Sequence, residues 1–500
     1  MKKTFKRLGI TFACAVMTFT CILSPVGNAF AAGSPIKTSG SGVKMTFAAW
    51  GDPQVSTALT SREKYVKASA EDLKSSQSKI DALVLAGDIT ENANQKEYDA
   101  IYSDIVNTGV SNFITATGNH DIRLGKYDNA KSKFVTFTNK LNSAAGSSLK
   151  ISSMHYSYSV KGYKFIVLGS DETQLEEATI SKSQLNWLDS QLKSSANKGK
   201  PVFVIMHQPL KNTHGLPNTW GSSDKNAGTV GAQSDKIKSI LNKYKNVVLI
   251  TGHLHTGFGK YSYQKVGNIH CVNLPSVGVD NSDGYYNENG LGYMVEVLGN
   301  RVVFRARNFN KGEYVSDYDI TIYLDRVKSS SLSATSYTYN GKAKTPSVAL
   351  YDYSGNKISP SNYTVTYPSG RKNVGSYKIK ITFKNAYKGN PTLYKTFTIK
   401  PKGTTVSSIK AGSKKFTVKW KKQATQTTGY QIQYSTSSKF TGAKAVTISK
   451  NGTTSKTVSK LKGGKKYYVR IRTYKTVKVN GKSTKIYSAW SKSKAVTVKK

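Results

Sequence analysis

Residues 247 to 256, VVLITGHLHT, decide how the fold of this chain is interpreted. The apolar residues at the start predict a buried strand, and two of the seven histidines of the chain, His253 and His255, follow it at alternate positions. Residues two apart on an extended chain point to the same side, so both imidazoles can face one ligand. A metal ion is the usual ligand of such a pair. The alternative is one packed histidine beside a solvent-facing one.

Four other polar segments also follow strand-like runs. They are WGDPQ with Asp52 and Gln54, AGDIT with Asp88, TGNHD with Asn119, His120 and Asp121, and MHQP with His207. In open α/β sheets, ligands bind at the carboxyl ends of the strands, so these side chains can meet at one edge. Each segment alone is explained as well by a turn. The five segments together, in this order, predict a common site.

The chain from residue 43 to residue 326 alternates strand-like runs with helical patterns, which is typical of an α/β domain. The predicted strands are residues 43–50, 82–86, 112–117, 163–169, 201–206 and 247–251. A helix is predicted in SKSQLNWLDSQLKSS, where Ser181 and Gln184 form a capping box and leucines recur on one face. The predicted strand ends carry the polar segments described above.

In their order along the chain, these segments resemble the motifs of the calcineurin-like metallophosphoesterase superfamily, which run Asp-x-His, Gly-Asp, Gly-Asn-His-Asp/Glu, His and Gly-His-x-His. The resemblance extends from Asp52 to His255 and so covers most of the N-terminal domain. It implies an α/β four-layer sandwich, in which two mixed sheets are flanked by helices, with a dimetal site. It also implies hydrolysis of a phosphate mono- or diester by a hydroxide that bridges the two metals.

The resemblance also implies a place for each ligand. Asp52 and His255 would bind the first metal, Asp88 would bridge both metals, and Asn119, His207 and His253 would bind the second. Gln54 stands where the family pattern has a histidine, and it is a further candidate ligand of the first metal. An amide oxygen is a harder ligand than imidazole, so the first site should favour Mn²⁺ or Fe, with Zn²⁺ as the alternative.

His120 is expected beside the metals as a catalytic group rather than as a ligand. By the resemblance it stabilises charge in the transition state or protonates the leaving oxygen, which suits an imidazole. Asp121 would either orient His120 or cap a helix. Glu91 falls where many family members carry a second acid, but an exposed glutamate in the first turn of a helix explains it equally well.

Three residues are weaker candidates for contact with the substrate. His214 and Trp220 lie in a long Gly-rich segment that follows His207, and long loops in compact domains often serve as lids. Arg123 lies just past the TGNHD segment and could clamp a phosphate, although a surface salt bridge is the simpler use of this side chain.

The first 31 residues have the pattern of a secretory signal peptide, because a basic start precedes an apolar stretch and an Ala-Phe-Ala site. An uncleaved membrane anchor is the alternative, but the stretch is short for a span. A Gly/Ser-rich spacer, residues 32–42, follows. Cys14 and Cys21 would be removed, leaving Cys271 as a buried structural thiol. We therefore expect a secreted protein, extracellular or associated with the cell wall, without disulfides and without a transmembrane segment in the mature chain.

From residue 327 the pattern changes to short strands rich in Thr, Val, Tyr and Ile, separated by Gly, Asn, Lys and Ser. This pattern predicts two all-β sandwich domains, residues 327–401 and 402–500. The first resembles the Ig-like repeats of bacterial surface proteins, on the segments YTYNGKAKTPSVAL and NVGSYKIKITFKNAYKGN. The second resembles a fibronectin type III domain, with Trp420 in the core and Tyr467 as a tyrosine corner.

Residues 327–500 contain 37 Lys and Arg and one acid, Asp352. So basic a segment attracts polyanions whatever their sequence, and an anionic cell-wall polymer or another anionic surface is the expected partner. A solubilising surface is the plain alternative. Aromatic residues between the basic ones make nucleic acid a third option, but no groove-reading motif predicts specific recognition.

Taken together, the sequence predicts an exported two-metal phosphoesterase with basic β-sandwich modules for association with the cell surface. The alternative is a surface protein that binds polyanions or acts as an adhesin, with a phosphoesterase-like domain that has lost its activity. The sequence does not distinguish monoester from diester substrates, because both present the same phosphorus to the same metals.

Overall fold

The computed structural model describes residues 34–173, 175–194, 199–214, 228–353 and 355–500. The predicted signal peptide and Trp220 lie outside these residues. Among the described residues, no helix is both long enough and apolar enough to cross a membrane.

The N-terminal region contains five helices and thirteen strands in the described residues. The helices are α1 (Thr60–Lys74), α2 (Gln95–Ile105), α3 (Tyr127–Ala144), α4 (Lys182–Lys193) and α5 (Ser234–Leu241). The strands are β1 (Val43–Trp50), β2 (Ala82–Ala86), β3 (Phe113–Ala116), β4 (Tyr156–Val160), β5 (Tyr163–Val167), β6 (Val202–Ile205), β7 (Val247–Thr251), β8 (Tyr263–Val266), β9 (Ile269–Asn273), β10 (Leu291–Leu298), β11 (Arg301–Asn308), β12 (Glu313–Tyr314) and β13 (Ile320–Tyr323). All six strands predicted from the sequence are confirmed, as β1, β2, β3, β5, β6 and β7.

These strands form two mixed sheets. The first has the order β12-β11-β10-β1-β2-β3, with β13 beside β11, and β1, β2 and β3 are parallel. The second has the order β4-β5-β6-β7-β9-β8, and β5, β6, β7 and β9 are parallel. In each sheet the parallel strands end at the same edge, and the predicted ligands follow β1, β2 and β3 in one sheet and β6 and β7 in the other.

The two sheets pack against each other through aromatic side chains. The ring of Phe47 on β1 lies 5.4 Å from the ring of Phe165 and 5.1 Å from the ring of Phe203, both in the second sheet. All three side chains are buried, and each contributes roughly 1.5–3 kcal/mol of hydrophobic stabilisation. Helices α1, α2 and α3 contribute to this core, whereas α4 and α5 pack on the other face of the second sheet. This packing fixes the two ligand-bearing edges relative to each other.

The start of α4 shows how the predicted capping box is modified. Ser181 Oγ accepts the backbone N–H of Gln184 at 3.2 Å, as predicted. The reciprocal bond is not made by Gln184, whose side chain donates instead to Gly169 O at 2.8 Å. Asp171 takes its place and accepts the N–H of Ser181 at 2.8 Å. A more distant residue thus completes the cap, because the buried Gln184 amide is used to fix the chain after β5.

The basic C-terminal region, residues 327–500, is built of strands in the described residues, with two short 3₁₀ turns. The strands are β14 (Val327–Leu332), β15 (Ser336–Thr338), β16 (Val348–Asp352), β17 (Tyr363–Thr366), β18 (Gly375–Phe383), β19 (Leu393–Lys400), β20 (Val406–Gly412), β21 (Lys415–Trp420), β22 (Gly429–Ser435), β23 (Lys444–Ile448), β24 (Ser455–Val458), β25 (Lys466–Val479), β26 (Lys482–Tyr487) and β27 (Lys494–Thr497). Strands β14 to β19 form one pair of sheets, and strands β20 to β27 form another.

The last module has the packing that its sequence predicts. Trp420 is buried and lies against Tyr430, with ring centroids 5.3 Å apart. The hydroxyl of Tyr467 accepts the backbone N–H of Lys462 at 3.1 Å, which is the hydrogen bond of a tyrosine corner. The predicted β-sandwich character is therefore present here, whereas the Ig-like identity of residues 327–401 stays a prediction.

Candidate metal centre

The carboxylate and imidazole side chains that follow β1, β2, β6 and β7 converge into two adjoining clusters. Asp88, His207 and His253 form one cluster, and Asp52, Asp88 and His255 form the other. Within each cluster the potential ligand atoms lie within 4.8 Å of one another. The Nε2 atom of His207 is 3.1 Å from Asp88 Oδ2, and the Nε2 atom of His255 is 3.1 Å from Asp52 Oδ1. Asp88 belongs to both clusters, so its carboxylate is placed to be shared.

Two amide side chains complete the set of donors. Gln54 Oε1 and Asn119 Oδ1 are buried, and neither has a hydrogen-bond partner among the described residues. A buried acceptor without a donor costs about 1–3 kcal/mol, so such an atom normally has a cation or a donor opposite it. Amide oxygen, carboxylate and imidazole together suit divalent Mn, Fe or Zn. The residues present therefore fit a pair of divalent metal ions.

The backbone at these positions is strained. Five of the residues in the site have positive φ angles although they are not glycine: Asp52 (48°), Gln54 (42°), Asp88 (46°), His253 (73°) and His255 (46°). The left-handed region is costly for residues with a side chain, and such residues concentrate at functional sites. This strain turns each side chain into the site directly after its strand ends.

The glycine before each of three ligands leaves room for another ligand. A Cβ atom at Gly118 would lie 2.0 Å from Asp88 Oδ1, and one at Gly252 would lie 2.6 Å from Asp52 Oδ2. A Cβ atom at Gly87 would lie 2.6 Å from the ring of His207. The Gly in AGD, TGN and TGH therefore allows the neighbouring loops to approach closely, which a simple turn would not require.

The charges in the site are balanced between acids and histidines. Burial alone would raise the pKa of Asp88, but the charges of His207, His120 and His253 outweigh burial and lower it. Burial alone would lower the pKa of His207, but Asp88 and Asp52 raise it to about 9. Burial, with the charge of His207 next, lowers the pKa of His253. The buried carboxylates thus favour positive charge between them, and a divalent cation can take the place of a proton there.

His120 lies at the rim of the two clusters. Its backbone N–H donates to Asp88 Oδ1 at 2.9 Å, and its Nδ1 atom is 3.0 Å from Glu91 O. The side chain is 12% exposed, whereas the side chains of Asp52 and His207 are fully buried. The ring is therefore next to the candidate ligands and still reachable from solvent.

Asp121 does not have either of the predicted roles. Its carboxylate accepts the backbone N–H groups of Gly118, Ile89 and Thr90 at 2.9–3.0 Å, and its hydrogen bonds do not include the ring of His120. It is not the helix cap either, because α3 begins at Tyr127 and Lys126 is the capping position. Burial, and then the charge of Asp88, raises the pKa of Asp121 to about 6. Asp121 ties the loops after β2 and β3 together and so positions the candidate ligands that these loops carry.

Glu91 is part of the site, and the exposed-helix explanation of this residue is wrong. Its carboxylate is 18% exposed and forms ion pairs with Arg62 and Arg123, the latter at 3.2 Å. Arg123 therefore forms a salt bridge, as the simpler interpretation had it, and this salt bridge lies beside the candidate metal centre. Arg62 lies on α1 without a motif around it, so no sequence pattern pointed to this residue.

Glu176 is a second residue that the sequence did not reveal. It lies after β5, and its Oε2 atom is 3.3 Å from Asn119 Nδ2 and 3.9 Å from His253 Nε2. The backbone oxygen of Glu176 accepts a hydrogen bond from Gln208 Nε2 at 3.1 Å. No pattern in the segment around Glu176 links it to the motifs, since its contact with Asn119 depends on how the two sheets pack.

Two further residues singled out from the sequence, His214 and Cys271, are both buried. His214 is buried, and its backbone N–H donates to Gln264 on β8, at the edge of the second sheet. Burial lowers the pKa of His214 to about 4. The predicted contact of His214 with substrate stays a prediction. Cys271 is buried as predicted, and burial raises the pKa of its thiol to about 12.

Comparison with known families agrees with this geometry. The family model described as calcineurin-like phosphoesterase matches residues 45–257. The N-terminal domain is a calcineurin-like phosphoesterase domain. The fibronectin type III domain model matches residues 399–489, and the chain carries that domain as well. Both domains were predicted from the sequence, and both are confirmed.

The individual proteins that resemble either domain share low sequence identity with this chain. A 3′,5′-cyclic-nucleotide phosphodiesterase of Nostoc sp. is 23% identical over 198 residues, which are 39% of this chain and 62% of that relative. This chain thus spans less than two thirds of the length of that relative. A purple acid phosphatase from yellow lupin (Lupinus luteus) seeds aligns over 56% of this chain and 53% of its own, with 13% identity and a TM-score of 0.40. The fibronectin type III domain of human contactin 1 aligns over 20% of this chain and 80% of its own, with 17% identity and a TM-score of 0.17.

Proposed function

We propose that this protein is a metal-dependent phosphoesterase that hydrolyses a phosphate mono- or diester at the candidate metal centre. The observation that supports this most strongly is that Asp88 belongs to both clusters, and two buried amide oxygens, Gln54 Oε1 and Asn119 Oδ1, add donors that have no partner among the described residues. A shared carboxylate allows two cations to be held close together without their repulsion dominating. The two packed sheets with helices on their outer sides also support the four-layer arrangement that the resemblance implies.

We propose a place for each metal ion, supported by the two clusters and the two amide oxygens. Asp52, Gln54 and His255 would hold the first ion, and Asn119, His207 and His253 the second, with Asp88 shared. We propose Mn²⁺ or Fe for the first position, because Gln54 adds an oxygen donor where an imidazole would favour Zn²⁺. When bound, two such ions polarise the phosphoryl group and lower the pKa of a water molecule.

The protein side chains supply positioning and proton transfer. His120 is the partly exposed group next to the clusters, and we assign it the donation of a proton to the leaving oxygen. Its contact with Glu91 O fixes the ring, and its backbone N–H to Asp88 ties it to the shared carboxylate. Such a group contributes about 10²–10⁴-fold to the rate of a hydrolysis reaction.

The proposal is tested by hydrolysis of bis(p-nitrophenyl) phosphate and of p-nitrophenyl phosphate. The protein is stripped of metal and then reloaded with Mn²⁺, and His253→Ala serves as the control because it removes one ligand of the second ion. Turnover that needs the metal and is lost in the control supports the proposal, and the faster ester identifies the substrate class. A folded, metal-loaded protein that hydrolyses neither ester would instead favour the surface-binding alternative.

A second proposal concerns where the enzyme works. We propose that it is exported and that residues 327–500 retain it at an anionic surface such as a cell-wall polymer. The 37 basic residues and single acid of this region support the proposal. Binding of the full protein to anionic beads should weaken steeply as salt is raised, because such attraction is screened. Binding that does not change with salt would contradict it.

A further inference from the structure

The two amide side chains of the centre differ from its carboxylates, because only one end of an amide can bind a metal ion. A carboxylate presents two equivalent oxygens, but an amide presents an oxygen at one end and an NH₂ group at the other. Only the oxygen end can bind a cation. Gln54 and Asn119 therefore need a partner that holds their NH₂ groups away from the metals.

Each amide has such a partner. Gln54 Nε2 donates to Glu91 Oε2 at 2.7 Å, and Asn119 Nδ2 donates to Glu176 Oε2 at 3.3 Å. An ionised carboxylate can only accept, so it selects the NH₂ end of the amide. The opposite ends, Gln54 Oε1 and Asn119 Oδ1, are the two buried oxygens that have no partner among the described residues.

We propose that Glu91 and Glu176 are positioning residues that turn the amide oxygens of Gln54 and Asn119 towards the two metal ions. This inference rests on the proposed function, because it assumes that the centre binds metal. It assigns a use to Glu91 and Glu176 that does not involve contact with the metals or with the substrate.

Glu91 should orient its amide more firmly than Glu176 does. Its carboxylate is held in place by Arg62 and Arg123, and it is 18% exposed. The two guanidinium groups also compensate its charge, so the carboxylate can be buried next to the centre at lower cost. Gln54 Nε2 also lies 3.1 Å from both ring nitrogens of His120. An imidazole nitrogen can donate or accept, whereas an ionised carboxylate only accepts, so Glu91 is the neighbour that selects the NH₂ end of the amide.

Glu176 should orient its amide, Asn119, less firmly. Its side chain is 41% exposed, and its hydrogen bond to Asn119 is longer than that of Glu91 to Gln54. Water competes for an exposed carboxylate, so the orientation it imposes is less strict. The Glu91–Gln54 pair and the Glu176–Asn119 pair thus allow the same kind of hydrogen bond to be compared at two levels of solvent exposure.

The test is a pair of double-mutant cycles on the full chain, measured as Mn²⁺ affinity by calorimetric titration. Removing a hydrogen-bond partner of a metal ligand typically costs 10–100-fold in metal affinity, so Glu91→Leu should weaken one of the two Mn²⁺ sites by about that factor. Glu176→Leu should weaken the other site by less. If Glu91 acts through Gln54, the double variant Glu91→Leu/Gln54→Ala should bind no more weakly than Gln54→Ala alone.

Losses that multiply in the Glu91 double variant, or an unchanged Mn²⁺ affinity in Glu91→Leu, would overturn the proposal. Because Glu91→Leu also leaves Arg62 and Arg123 without their acid, the parallel cycle of Glu176→Leu with Asn119→Ala keeps the idea testable if the first variant does not fold.

Failure of the proposed function gives a different result from failure of this inference. Wild-type protein that binds two Mn²⁺ ions but hydrolyses neither ester contradicts the enzyme and leaves the cycles to decide this inference, whereas wild type that binds no Mn²⁺ overturns both.

Discussion

The N-terminal domain and the basic C-terminal region use charge in opposite ways. All but one of the 28 acidic residues of the chain lie before residue 327, and Asp52 and Asp88 are buried together with His207 and His253. In the C-terminal region the cores consist of side chains such as Phe416, and the basic residues lie mainly at the surface. Burying charged groups is costly unless they are compensated. The N-terminal domain accepts that cost for several groups at once at the candidate metal centre, and elsewhere for compensated groups such as Arg307, which pairs with Asp72.

The same contrast appears in the backbone. In the metal centre, positive φ angles fall on ligands such as Asp88 (46°) and His253 (73°), and they direct side chains inward. In the C-terminal region, Asn480 (49°) and Gly481 (78°) form the turn between β25 and β26. Asn followed by Gly is the usual composition of such a hairpin turn. An unusual conformation thus serves a site in one region and a connection in the other.

The largest effect is expected from Asp88→Asn. Asp88 is shared by both clusters, so this change removes a ligand charge from two metal ions at once. We expect loss of metal binding and a fall in turnover on the order of 10³-fold or more, while binding to anionic beads is retained. Metal content and hydrolysis are measured on the same preparation. An Asp88→Asn protein that still holds two Mn²⁺ ions would contradict the view that buried charge in the N-terminal domain serves to bind metal.

The next largest effect is expected from His120→Ala. We expect turnover to fall by about 10²–10⁴-fold while both metal ions stay bound, because His120 is assigned proton donation and not ligation. The measurement combines steady-state kinetics with metal analysis. Equal losses of metal and of activity would show that His120 is a ligand instead.

Glycine substitutions sharpen the comparison of the two backbones. A Cβ atom at Gly118 would lie 2.0 Å from Asp88 Oδ1, whereas one at Gly452, in the C-terminal region, would have nothing within 4 Å. Gly118→Ala should therefore weaken Mn²⁺ binding and lower the thermal stability. Gly452→Ala should change the free energy of unfolding by no more than about 0.5 kcal/mol. Similar behaviour of the two variants in a thermal melt would contradict the close approach at the metal centre.

The smallest effect on catalysis is expected from replacing exposed lysines of the hairpin between β25 and β26. Lys478, Lys482 and Lys485 are exposed, and the triple change to glutamine removes three positive charges. We expect the salt concentration that releases the protein from anionic beads to fall, with kcat unchanged. A matched triple change at Lys64, Lys67 and Lys74 on α1 is the control, and an equal shift in that control would show that total charge, rather than the C-terminal region, governs binding.

Much of the fold could be predicted because local patterns determine it. The buried strands have continuous apolar runs, and the polar segments after them occur in the order that resembles the phosphoesterase motifs. The candidate ligands were selected in this way, and the structure brings five of them together: Asp52, Asp88, His207, His253 and His255. The tyrosine corner at Tyr467 could be predicted for the same reason, since Tyr467 and Lys462 are only five residues apart in the sequence.

What could not be predicted depends on contacts between distant segments. Glu176 meets Asn119 across the two sheets, and Arg62 reaches Glu91 from α1, so neither contact leaves a pattern in the sequence. Asp121 was expected either to orient His120 or to cap a helix, but its carboxylate accepts backbone N–H groups of the neighbouring loops. The resemblance therefore identified the candidate ligands, and only the structure identified the side chains that contact them.

The most direct test of the account is a crystal structure of Mn²⁺-soaked protein, with anomalous diffraction to locate the metal. The account predicts two Mn²⁺ peaks, one among Asp52, Asp88 and His255 and the other among Asp88, His207 and His253. It also predicts that the side-chain oxygens of Gln54 and Asn119 face these peaks. A single peak, or peaks that lie outside both clusters, would contradict it.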